Sequence, residues 1–111
     1  MLDRTEGDLD LAKELIDTFI ESWPASFDAV KAAVASRDAV ATERAAHAIK
    51  SAVGLFGFRP LMEPTVALEK LGRTNHMDSA DALVLAIEFE ADNLIRALLE
   101  DKAREALVGS T

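Results

Sequence analysis

One stretch of this chain carries side chains whose types and spacing could do chemistry: Ala45-Ala46-His47-Ala48-Ile49-Lys50-Ser51-Ala52-Val53-Gly54. Wound as a helix at about 100° per residue, it gathers Ala41, Ala45, Ile49, Ala52 and Phe56 on one side. Val40, Glu43, Arg44, His47, Lys50, Ser51 and Gly54 gather on the other. His47 is therefore expected to point away from the core, near the middle of a polar face. Lys50, three residues on, can meet an anion held on the imidazole. Ser51 and Gly54 lie one and two turns away and leave room around the ring. Glycine inside a helix costs roughly 1 kcal/mol relative to alanine, so Gly54 invites a packing or functional reason. A lone surface histidine ordinarily does nothing. An accessible ring with a cation beside it and little bulk around it suits nucleophilic chemistry.

Other candidates are weaker. His76 sits in the polar run Asn75-His76-Met77 and reads as a solvated histidine, too far along the chain from His47 to suggest a metal motif. Glu88 and Glu90, like Asp8 and Asp10, are two apart and so fall on different helix faces, as solvated charges do. Trp23 and the phenylalanines read as core or inter-helix packing. There are no cysteines, which excludes disulfides, thiolate metal sites and cysteine nucleophiles. No cluster of His, Cys and carboxylates has ligand spacing, and no glycine-rich phosphate loop is present. A net charge of −8 argues against nucleic acid, which requires a clustered positive surface. No apolar run approaches the roughly eighteen residues that span a bilayer. No membrane contact is expected, nor is a basic-then-apolar leader visible, and a cytoplasmic location is the expectation.

The elements that must position His47 follow from punctuation and periodicity. The 111 residues suffice for one domain with one core, and half of them are hydrophobic. Alanine and leucine dominate, which favours helices. The spacing predicts helices over about 9–22, 25–36, 39–55, 60–72 and 79–107. Asp8 is expected to cap the first, whose apolar positions are Leu11, Leu15, Ile16, Phe19 and Ile20. Trp23-Pro24 should interrupt it, because proline removes a donor. Phe27, Val30 and Val34 face inward on the second, and Asp38 can cap the third. Gly54 and Gly57 bracket the end of that third helix. The fourth carries Leu61, Val66, Leu68 and Leu71 and closes around Gly72. Its start is ambiguous, since Pro60 and Pro64 cannot both sit comfortably in one first turn. Leu83, Ile87, Leu94, Leu98 and Leu99 stripe the last, with Gly109-Ser110-Thr111 expected to fray. Short joints make neighbours antiparallel, hence an all-α, up-down four-helix bundle with one additional N-terminal helix.

His47-Ala48-Ile49-Lys50-Ser51 followed by Gly54 and Gly57 resembles the signature of histidine-phosphotransfer domains, the carriers of bacterial and fungal multistep phosphorelays. Gly7-Asp8 ahead of an apolar helix ending in Phe19, and Leu68-Glu69, extend the likeness over nearly the whole chain. The resemblance implies that His47 is the phosphoacceptor and that Lys50 helps neutralise the phosphoryl group. An ungapped count puts Glu69 where a side chain on the facing helix bonds the other ring nitrogen; the alternative for Glu69 is a solvated helix charge. Ser51 stands where glycine is common, and the pair Pro60 and Pro64 is unusual for the family. The implied partners are response-regulator receiver domains and, for a module of a hybrid kinase, a sensor histidine kinase. They would dock on a small patch around His47 formed by Val40, Glu43, Arg44, Lys50, Ser51 and Gly54. The implied domain is a carrier, not a kinase, with no cofactor of its own; Mg²⁺ is expected on the receiver. A monomer suffices to close the core. Two rivals make different predictions: a helical protein-interaction module that never carries phosphate, and a receiver phosphatase using Glu69 or Glu43.

Overall fold

The computed structural model describes the backbone of residues 2–109 and the side chains of residues 13–100. It contains four helices: α1 (Leu2–Ala35), α2 (Ala39–Gly54), α3 (Arg59–Thr74) and α4 (Ala80–Gly109), with no strand among the described residues. Each helix packs on its neighbours in sequence, and α4 closes the ring against α1. The joints 36–38, 55–58 and 75–79 are too short for anything but antiparallel neighbours. Each joint turns on one residue in the left-handed region: Arg37 (φ 56°), Gly57 (φ 64°) and Asn75 (φ 58°). At the last of these, His76 N–H donates back to Leu71 O, closing the end of α3.

The separate N-terminal helix is corrected by this arrangement, since α1 runs unbroken through Pro24. Asp8 accordingly lies within α1 rather than at its start. Three aromatic rings explain the continuity. Phe19, Trp23 and Phe27 follow one another at four-residue intervals and are all buried. Trp23 stacks on Phe27 at 5.4 Å and tilts against Phe19 at 5.7 Å. Pro24 costs the helix one backbone bond, but it is exposed, and the buried rings on either side hold the two halves in line. The side chains of Asp8, Asp10, Leu11 and Leu107 lie outside the described residues, as do Ser110 and Thr111.

The buried faces are rotated slightly from those expected. On α2 the buried residues are Thr42, Ala46, Ile49 and Val53, while Ala41, Ala45 and Ala52, with Phe56 in the joint beyond, are half-buried flanks. On α3 they are Leu61, Thr65, Leu68, Glu69 and Gly72, a set that leaves Val66 about 100° away and exposed. On α4 Ile87, Ala91, Leu94 and Leu98 point inward, whereas Leu99 and Phe89 are exposed. Met77, in the run read as a polar loop, is buried in the core. The structure also resolves the proline ambiguity. Phe58 is the N-cap of α3, Pro60 lies in the first turn, and Pro64 is accommodated inside the helix.

Gly72 does not end α3. It is a buried contact point between α3 and α2. A Cβ there would stand 2.7 Å from both Ala39 O and Glu43 N, and these are backbone atoms that cannot step aside. Only a residue without a side chain lets the two helices approach this closely. Gly72→Ala is therefore expected to lower stability by about 1–3 kcal/mol through overpacking, read as a fall in the denaturant midpoint. An unchanged midpoint would show that the helices do not meet backbone to backbone here.

Candidate functional site

The site lies where α2 and α3 run side by side, one turn from the Gly72 contact. Asp38 caps the start of α2 by accepting a bond from Ala41 N–H at 3.1 Å. Burial of Thr42, Ala46, Ile49 and Val53 turns the opposite face of α2 out, and His47 with it, 61% of its side chain being exposed. On the facing helix Glu69 is almost wholly covered, at 5%, while on α2 Lys50 is partly covered, at 32%.

Glu69 uses both oxygens. Its Oε2 lies 2.6 Å from His47 Nδ1, and its Oε1 accepts from Lys50 Nζ at 2.8 Å. Two acceptors cannot sit 2.6 Å apart, so an ionised Glu69 places a proton on Nδ1. In the neutral imidazole this leaves Nε2 with a free lone pair on the exposed side of the ring. The ionised form of Glu69 is favoured. The hydrogen bond from Lys50, and after it the bond from His47, hold its carboxyl below the ordinary value against the opposing effect of burial.

A second ion pair extends the arrangement. Arg73 donates from Nε to Glu43 Oε2 at 3.0 Å, and its Nη2 stands 3.8 Å from Glu69 Oε1. Glu43, Arg44, His47, Lys50, Glu69 and Arg73 together line an open hollow of about 410 Å³. Of the residues expected around His47, Val40, Arg44, Ser51 and Gly54 are exposed beside it along α2, and Glu43 is half-buried under Arg73. The Ser51 hydroxyl turns back to His47 O at 3.1 Å and so leaves the ring unobstructed. A Cβ on Gly54 would meet nothing nearer than Met62 Cε at 3.7 Å, so this glycine is not demanded by packing. Sequence reasoning missed Arg73. Its spacing of four from Glu69, and Glu43's position one turn before His47, were the available signals.

His76 is exposed and apart from this cluster, and Glu90 bonds Asn93 rather than pairing with Glu88. Among the described residues no three His, Cys or carboxylate side chains converge as a metal site would require. Among the described residues, no helix is long and apolar enough to cross a membrane.

The family model for the Hpt domain matches residues 14–105. The chain belongs to the Hpt domain family. Hpt domains are carriers that pass phosphoryl groups on histidine in phosphorelays, exchanging them with receiver domains and kinases. No curated protein and no solved structure matches the chain significantly. The match covers the whole of α2 and α3, and thus every residue of the His47 cluster.

The depressed Glu69 carboxyl has a consequence for stability. Unfolded, Glu69 titrates in the ordinary glutamate range; folded, it titrates lower. Its contribution is thus complete above the ordinary value and is lost as pH falls through the folded one. Glu69→Gln should lower the thermal midpoint at neutral pH, and the gap from wild type should close in acid. A gap of constant size down to low pH would show that no ionised carboxylate is at work here.

Proposed function

We propose that this Hpt domain accepts a phosphoryl group on Nε2 of His47 from the aspartyl phosphate of a receiver domain and passes it to a second receiver. The observation that carries the reading is the 2.6 Å bond from His47 Nδ1 to a nearly buried carboxylate, on a side chain that is itself 61% exposed. In the transfer, the Nε2 lone pair forms the bond to phosphorus while the bond from phosphorus to the aspartate oxygen breaks. The electron pair leaves with the aspartate carboxylate. The proton stays on Nδ1, and the ring becomes a cation that faces Glu69. Glu69 is thus both the group that fixes the tautomer and the counter-charge for the product ring.

Lys50 lies one turn from the ring and can neutralise charge on the phosphoryl oxygens as they approach. Phosphoryl transfer depends on placement and charge neutralisation more than on covalent help. The Mg²⁺ would be the receiver's, and this domain would need no cofactor. Val40, Arg44, Ser51 and Gly54 form the exposed strip of α2 on which a receiver would dock, with Glu43 at its edge. Val40 supplies apolar area and Gly54 supplies clearance, a combination suited to a small contact that exchanges partners. The same reading places the domain in the cytoplasm, in a chain of receivers served by a sensor histidine kinase.

The test is intact mass after exposure to a phosphorylated receiver with Mg²⁺, beside a His47→Ala control. The expected result is an acid-labile, base-stable adduct on the wild type and none on the control. Loss of receiver phosphate with no adduct, in the control as well, would overturn the carrier reading in favour of a phosphatase. Retention of the adduct by His47→Ala would move the acceptor elsewhere.

A further inference from the structure

Glu69 Oε1 has two cations within reach, and only one of them is bonded to it. Lys50 Nζ holds it at 2.8 Å, while Arg73 Nη2 waits at 3.8 Å, its Nε already anchored on Glu43. Resting on the phosphocarrier reading above, this poses a conflict for Lys50. An ammonium needed by an incoming phosphoryl group is the same ammonium that keeps a nearly buried carboxylate satisfied. Pulling it away would strand Glu69 Oε1, and a buried carboxylate left without a partner is costly.

We propose that Arg73 is a positioning residue that takes over Glu69 Oε1 when Lys50 turns to the phosphoryl group on His47. The anchor on Glu43 places the guanidinium fork so that closing the remaining gap requires only a small movement of its far nitrogen. Arginine suits this part because its planar fork can bond two carboxylates at once, one through Nε and one through Nη2. Glu69 then stays ionised and stays on Nδ1 throughout the transfer, and Lys50 is free to follow the charge. Every charged group lining the hollow has a place in this exchange except Arg44. Arg44 is exposed and joins no ion pair among the described residues.

The mechanism predicts non-additivity, which a merely structural arginine would not show. The probe is inorganic phosphoramidate, which transfers its phosphoryl group with ammonia as leaving group and needs no docked receiver. The loading rate of His47 is measured by intact mass for wild type, Arg73→Gln, Lys50→Ala and the double variant, with thermal unfolding of each as a control for folding. Arg73→Gln should load more slowly by about tenfold, the worth of one charge-assisted hydrogen bond. Arg73→Lys should recover part of that loss. The double variant should lose more than the product of the two single losses, because Lys50→Ala leaves Arg73 to hold Glu69 Oε1 whereas the double variant leaves that oxygen with no cation. Wild-type loading in Arg73→Gln would overturn the proposal and would mean that one ammonium serves both anions. Losses that multiply in the double variant would overturn it equally. If the wild type itself takes no phosphoryl group on His47, the carrier reading fails first.

Discussion

The close approach of α2 and α3 at Gly72 is the constraint on which the site depends. Nearly all of Glu69 is out of water, and a carboxylate in that position must have partners on both oxygens. Those partners come from α2, so the separation of the two helices decides whether the bonds can form. Gly72, one turn beyond Glu69, brings the helix backbones into contact and sets that separation. The 2.6 and 2.8 Å bonds to His47 and Lys50 follow from it. So does the second rung one turn further on, where Arg73 crosses to Glu43.

The charges are arranged against the average of the chain. A net charge of −8 repels phosphate at long range, yet Arg44, Lys50 and Arg73 all line the hollow beside His47. Two carboxylates, Glu43 and Glu69, share that hollow. Their role is to hold the cations and the ring in place while Nε2 stays open to solvent. A local field of this kind lets an acidic protein receive an anion at one point of its surface.

Much of this was legible in the sequence. The spacing of His47, Lys50, Ser51 and Gly54 on one helical face needed no structure, nor did the position of Glu69 on the facing helix. What the sequence hid was hidden for definite reasons. Pro24 reads as a helix breaker because its local cost is visible, whereas the stacking of Phe19, Trp23 and Phe27 that offsets it is tertiary. Gly72 reads as a helix end because glycines commonly stand there, and its true role depends on Ala39 and Glu43, which are distant in sequence. The buried stripe of α2 was displaced by one position because Thr42 looks polar and is buried. The stripe of leucines on the last helix reads as including Leu99, and phenylalanine reads as core, yet the spacing of Ile87, Ala91, Leu94 and Leu98 leaves Phe89 and Leu99 facing water. Arg73 escaped notice because its importance lies in a contact with Glu43, thirty residues away.

The central claim is that Glu69 fixes His47 with its proton on Nδ1 and its lone pair on Nε2. Nitrogen-15 NMR of the His47 imidazole, taken with the ring neutral, reads the two nitrogens separately. The account predicts a protonated Nδ1 and an unprotonated Nε2 in the wild type, with that preference weakened or lost in Glu69→Gln. A wild-type ring protonated on Nε2, or a tautomer indifferent to Glu69, would contradict it.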